Sequence, residues 1–237
     1  VFIDSTTVNG GISELLVTDD VGPIQTPITS GGYTDDTLPT FSGNAQANTT
    51  ITFYDNGGLV PIGTADVDEF GRWSFTPTVE LTDGPHLITT TVTNGVTTTP
   101  PVALIQFTVD TSAPADVTAL VVTDDVAPGV GTITNGGATN DAQPTFSGSI
   151  AFPLSEVGST VVLREGGTVL GSATLGASGL WTITPNDALT DGLHNLTVVV
   201  IDRAGNESPG IDFALTVDAT PPSQILDFTG SDTVAPG

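Results

Sequence analysis

Apolar and polar residues alternate with period two along much of this chain, in stretches such as "TTITFYD", "RWSFT" and "HNLTVVVID". That pattern is the mark of strands with one face buried and one face wet. Breakers rich in Gly, Asn and Asp ("DNGG", "DEFG", "TDG", "REGG") cut the alternation into short lengths, because these residues tolerate the backbone angles that tight turns require. The first part of the chain therefore predicts strands at about 12–18, 38–44, 49–55, 59–66, 70–76, 86–93 and 102–109. No stretch combines helical periodicity with caps. Trp73 and Trp181 each lie on the strand after a tight turn and are predicted to be inward-facing core anchors.

The pattern occurs twice. "VTDDVGPIQTPITSGGYTDDTLPTFSG" at 17–43 aligns without gaps on "VTDDVAPGVGTITNGGATNDAQPTFSG" at 122–148. "FGRWSFTP" (70–77) matches "SGLWTITP" (178–185), and "LTDGPHLITTTV" (81–92) matches "LTDGLHNLTVVV" (189–200), after a small insertion around "IAFPLSEVGS". "FTVDTSAP" (107–114) and "LTVDATPP" (215–222) close the copies alike. About seven short strands in about 100 residues is the immunoglobulin-like sandwich pattern. The fold class read from this is all-β, with tandem immunoglobulin-like β-sandwiches joined end to end. The repeats are placed at 5–110 and 111–218, with 1–4 as the tail of a preceding repeat and 219–237 as the start of a following one.

Charge changes the picture. The 237 residues hold 27 Asp and Glu against three Lys and Arg, a formal net charge of −24. Nucleic acid and anionic membrane surfaces are excluded as partners, since both need basic side chains. Metal cations are the natural counter-charge. Disorder, the other explanation of such acidity, expects low hydrophobicity, whereas 38% of the residues are hydrophobic. No Cys is present, which removes disulfides and thiolate chemistry together. No apolar run approaches the roughly 18 residues of a membrane span.

Strand order gives the acids positions. In a sandwich entered at one end and left at the other, the first, third and fifth connections share the exit end with the end of the last strand. In the first copy these are the long loop from Asp19 to Asp36, the "YDNGG" turn and "LTDG" with Asp83, and the last strand delivers Asp110 to the same end. The entry end of the second copy carries "DRAGNES", with Asp202 and Asn206. The acids are thus predicted to meet at the seam between copies. Two carboxylates about 4–5 Å apart repel by roughly 1 kcal/mol in water and by more when desolvated. Calcium, with about 6–8 oxygen ligands, resolves such a conflict better than magnesium, which holds to a near-ideal octahedron and keeps its waters. Asp also favours turns for its own backbone hydrogen bonds, which accounts for "DNGG" and "VDEFG"; the doubled Asp19/Asp20 and Asp124/Asp125, in register and unmatched by cations, point to the ion.

The chain resembles the bacterial Ig-like repeats of giant type I-secreted, RTX-type adhesins and biofilm-associated surface proteins. "VTDDV", "TDDTLPTFSG", "GRWSFTP", "LTDGPH", "DRAGNES" and "VDTSAP" carry the likeness, which covers essentially the whole chain. The resemblance implies an extracellular, monomeric stalk on the bacterial surface whose repeats partner one another through calcium. On that likeness Asp19, Asp20, Asp36, Asp83 and Asp110, with Asp202 across the seam, form one junction; Asp124, Asp125, Asp141, Asp191 and Asp218 form the exit half of the next. The first copy has "TNGVTTTP" where the second has "DRAGNES", so its upstream junction binds fewer ions, and Asn140 replaces Asp35.

Other candidates carry less. His86 and His194 follow the "DG" turn in each copy, which reads as a structural histidine satisfying a loop carbonyl. Ser and Thr are spread along strands with no base beside them, so no enzyme is expected. Paired carboxylates suggest glycoside hydrolysis, but that needs one asymmetric cleft. Asp66 and Asp68 have no counterpart in the second copy, and Arg72, Arg164 and Arg203 read as isolated surface charges. A face that binds carbohydrate or a host protein, which would have to use Tyr33 and Tyr54, is the rival function; an accessory domain of a secreted enzyme is another.

Overall fold

The structure is a computed structural model that describes residues 11–151 and 156–222. The predicted fragment at 1–4, most of that at 219–237 and part of the insertion lie outside the described residues. Two β-sandwiches follow one another, with no α-helix among the described residues. In the first, β1 (Ser13–Thr18), β3 (Thr40–Asn44) and β6 (Arg72–Phe75) form a three-stranded sheet. Against it lies a five-stranded sheet in the order β2 (Gly32–Thr34), β8 (Val102–Val109), β7 (Gly84–Thr93), β4 (Thr50–Asp55), β5 (Gly63–Asp66). The second sandwich pairs β10 (Gly131–Ile133), β9 (Val117–Asp124), β12 (Thr145–Ile150) and β15 (Leu180–Ile183). Its other sheet is β11 (Gly137–Thr139), β17 (Ile211–Val217), β16 (Gly192–Ile201), β13 (Thr160–Glu165), β14 (Thr168–Thr174).

The alternation read from sequence is what fills each core. Along β7 every second side chain is buried, and Phe41, Phe53, Phe75 and Phe107 meet beside Trp73. Phe53 stacks on Phe75 at 4.2 Å between centroids. Fully burying a side chain of this size stabilises by about 1.5–3 kcal/mol, so a few such residues outweigh any single surface contact. Both Trp are buried as expected, although neither indole N–H has a hydrogen-bond partner.

β1 and β9 bulge at Glu14 (φ 52°) and Ala119 (φ 51°). Each bulge faces a strand glycine. A Cβ on Gly148 would lie 2.9 Å from the Thr118 carbonyl oxygen and 2.9 Å from the Trp181 ring. The "FSG" glycines are therefore set by close packing, not by turns.

Two strand readings change. The strand predicted at 59–66 begins only at Gly63, and Leu59 and Val60 stand 95% and 79% exposed; Pro61, lacking an N–H, cannot extend the ladder. The loop predicted between 19 and 37 contains β2, which pairs in parallel with β8 from Gly32↔Phe107 to Thr34↔Val109. β11 pairs with β17 in the same way.

Candidate functional site

In each repeat the doubled aspartates part company: Asp19 and Asp124 turn inward, 4% and 2% exposed, while Asp20 and Asp125 face solvent. Asp19 Oδ1 accepts from the Val21 N–H at 3.1 Å and Oδ2 from the Thr34 hydroxyl at 2.8 Å. Thr34 Oγ1 in turn accepts from the Asp36 N–H at 3.1 Å, and Asp36 Oδ1 from the Leu38 N–H at 2.8 Å. The second repeat copies the chain through Val126, Asp124, Thr139, Asp141 and Gln143. These acids cinch the long loop onto the sandwich, a role of the kind the sequence assigned to the lesser turns. The alignment of β2 with β8 completes the placement, because the Asp110 N–H donates to the Thr34 carbonyl at 2.9 Å. Asp35, Asp36 and Asp110 are thereby held at one end.

The second repeat's "DRAGN" loop meets that end. Asn206 Nδ2 donates to the Asp110 carbonyl at 2.7 Å, and the Arg203 guanidinium lies 3.8 Å from the centre of the Tyr33 ring. Asp202 is buried here, but its carboxylate is already occupied by its own loop: Oδ1 accepts from the N–H groups of Ala204, Gly205 and Asn206, and Oδ2 from Asn206 Nδ2. The predicted meeting of the first repeat's exit end with the second's entry loop is thus present.

The remaining predicted acids act on the chain leaving each sandwich. Asp83 accepts from the Thr111 N–H (3.1 Å) and hydroxyl (2.9 Å), and Asp110 Oδ1 accepts from the Ser112 N–H at 3.1 Å. Asp191 accepts from the Ala219 N–H at 2.8 Å and from the Thr220 hydroxyl. Those bonds, that from Thr220 first, hold its carboxyl below the usual range. The Asp218 N–H donates to the Thr139 carbonyl at 2.9 Å while its side chain is exposed.

Asp35 is the residue that sequence reasoning left out of the site. Asp35 Oδ1 and Asp36 Oδ2 are buried without a hydrogen-bond partner. Burial, followed by the charges of Asp19, Asp202 and Asp36, pushes the Asp35 carboxyl above its ordinary range. Burial likewise raises Asp36, against the pull of the Leu38 and Asp20 amides; in the second repeat the Asp125 N–H donates to the equivalent Asp141 Oδ2 at 3.3 Å. The second repeat explains what is missing. There Asn140 Nδ2 donates to the Ala127 carbonyl at 3.0 Å. An ionised Asp35 has no proton to donate at the same place, and its carboxylate is pressed so close to Gly22 that a Cβ there would lie 2.1 Å from Oδ2. The signal available in sequence was that Asp-to-Asn difference.

Orphaned, desolvated carboxylate oxygens fit a hard divalent cation in their chemistry. Among the described residues, however, no group of three or more His, Asp or Glu side chains is arranged to hold a metal on its own.

The other candidates resolve structurally. His86 Nε2 meets the Thr82 carbonyl at 2.6 Å and Nδ1 meets Asp55 at 2.8 Å; His194 does the same with Thr190 and Glu165. The three arginines, read as isolated, all have contacts: Arg72 pairs with Asp68, Arg164 with Glu207, and Arg203 covers Tyr33. Long side chains find partners that sequence register does not reveal.

The bacterial Ig-like domain profile matches residues 15–111 and again 115–219. The chain belongs to the bacterial Ig-like domain family. No curated protein sequence matches it. Among solved structures, the fibronectin(III)-like modules of Clostridium thermocellum CbhA are 16% identical, with 85% of this chain covering 93% of that one at a TM-score of 0.45. A tetra-tandem repeat in the extending region of a large adhesion protein is 18% identical over 90% of this chain and 69% of that one, TM-score 0.30. The BSP domain of a biofilm associated protein is 21% identical over 81% of this chain, which spans only 30% of that chain, TM-score 0.28. These are likenesses of fold. Both bacterial Ig-like repeats keep the same acid hub at the exit end, and only the first adds Asp35.

Proposed function

We propose that these bacterial Ig-like repeats are non-enzymatic extender modules of a bacterial surface adhesin, stiffened by calcium where one repeat meets the next. The observation that carries the reading is the pair of orphaned oxygens, Asp35 Oδ1 and Asp36 Oδ2, at an end where a second repeat docks. Folding leaves these acids desolvated and mutually repelling, and a bound divalent ion would supply the missing positive charge. Asp35 and Asp36 would hold it, with Asp19 and Asp202 adding negative potential. Backbone carbonyls and water would complete the shell, ligand types that calcium accepts and that suit the weak affinity of extracellular modules. The neighbouring adhesion and biofilm proteins lend this reading context only.

Calcium titrated calorimetrically into the chain tests the proposal. Saturable binding that weakens in Asp35→Asn and Asp36→Asn supports it; no heat up to about 10 mM calcium overturns it. A carbohydrate- or host-binding face is less well supported, because Tyr33 is covered by Arg203.

A further inference from the structure

The seam is not symmetric between the two repeats. Across it, the second repeat's entry loop makes three contacts of different kinds. Arg203 lays its guanidinium on Tyr33, 3.8 Å from the ring centre, and runs its stem past Gly158, where a Cβ would sit 3.3 Å from Arg203 Cδ. Asn206 Nδ2 donates to the Asp110 carbonyl at 2.7 Å, a bond that fixes the loop against the end of β8. Gly205, buried with φ +105°, passes so close to Ile24 that a Cβ would lie 3.3 Å from the isoleucine Cβ. A cation, an amide and a bare backbone are each needed at a set position.

The homologous ends lack these features. At the second repeat's exit end, Gly129 and Ala138 stand where the first repeat has Ile24 and Tyr33. At the first repeat's entry end, the loop Thr93–Pro100 contains no Arg. The first repeat's exit face and the second repeat's entry loop therefore match each other, and neither the Ile24–Tyr33 pair nor the arginine is found on its own homologue.

We propose that the exit face built from Ile24, Tyr33 and the Asp110 carbonyl is a docking surface for an entry loop of the Arg-Ala-Gly-Asn type, so that the order of repeats is written into their ends. The partner is a bacterial Ig-like repeat bearing that loop, here the second repeat of the same chain. The contacts run through a cation–π pair, an amide and bare backbone, so this inference goes beyond the calcium reading. The latch selects which neighbour docks and in which orientation; a cation would lengthen the life of the docked state.

The test transplants the second repeat's exit residues onto the first, Ile24→Gly with Tyr33→Ala, in the full chain under excess chelator. Because the second repeat folds with Gly129 and Ala138, the variant is expected to keep its own fold, checked by unchanged amide spectra within each repeat. In the wild type the Arg203 side-chain protons should show a ring-current upfield shift, and residual dipolar couplings should report a docked population in which the repeats align together. In the variant the docked-to-undocked ratio should fall about 2- to 5-fold, the range for a solvent-exposed cation–π contact. Arg203→Gln should reproduce that fall without touching the first repeat. An unchanged docked-to-undocked ratio in both variants, or no ring-current shift in the wild type, overturns the proposal. Calorimetric calcium titration of the same variants keeps the two readings apart: calcium heat survives a failure of the latch, and the latch signal survives an absence of calcium binding.

Discussion

Replacing Asp35 by Asn converts the first repeat's seam acid into the residue that the second repeat already carries at the same place. The second repeat shows what the amide does there: Asn140 donates to the Ala127 carbonyl at 3.0 Å. The loop differs in the first repeat, where Gly22 has φ 66° and its carbonyl already accepts from Gln25 Nε2 at 3.3 Å, so the variant's gain comes from charge alone. The substitution removes one charge from the neighbourhood of Asp19, Asp202 and Asp36, relieving roughly 1 kcal/mol. Under chelator the variant should therefore be more stable by about 1 kcal/mol, which raises the melting temperature of a repeat of this size by roughly 4–8 °C. Calcium should act the other way. At about 10 mM, an affinity of about 0.1–1 mM stabilises the wild type by about 1.4–2.7 kcal/mol, and the variant gains much less. Differential scanning calorimetry in both buffers measures this. A variant less stable than wild type under chelator, or one with an undiminished calcium response, would refute the reasoning.

Three further outcomes follow from the structure. Asp35 and Asp36 are raised above the unfolded value of 3.8, so their ionised forms penalise the fold at neutral pH. That penalty fades as pH falls through the raised folded values, so urea midpoints of the chelated protein should gain more on mild acidification in the wild type than in Asp35→Asn. His194 lies above 6.5: burial lowers it, but the Thr190 carbonyl and Glu165 outweigh burial. Its stabilisation is complete below the unfolded value and is lost as pH rises through the folded one, and an NMR ring titration with a midpoint below 6.5 would contradict this. Gly148→Ala should cost about 1–3 kcal/mol in denaturant unfolding, because the backbone oxygen of Thr118 cannot yield. Exposed Gly176, with nothing within 4 Å of its Cβ position, is the control, at under about 0.5 kcal/mol.

The sandwich was legible because strands such as β4, β6 and β7 alternate buried and open side chains, and Gly, Asn and Asp mark many of the turns between strands. β2 and β11 were not, since three residues inside a long loop carry no period and are held only by parallel pairing with the last strand. Leu59 and Val60 misled in the opposite direction, being apolar yet exposed. At the site, strand order alone brings the loop of Asp202 and Asn206 to the end that Asn206 shares with Asp110. It could not tell that Asp19 is a loop hub, that Asp83 and Asp191 clamp the departing chain, or that Asp35 holds an unpartnered oxygen. Those distinctions depend on which neighbouring N–H groups are already spent, a question of geometry that spacing does not encode. Arg203 on Tyr33 is the same case: the two residues are far apart in sequence and have no shared register.

The most direct measurement is small-angle X-ray scattering of the chain in millimolar calcium and then in excess chelator. Cation-neutralised acids at the seam predict a longer maximum dimension and a narrower distance distribution with calcium, and a broader, shorter one without it. Superimposable curves in the two buffers would contradict the account.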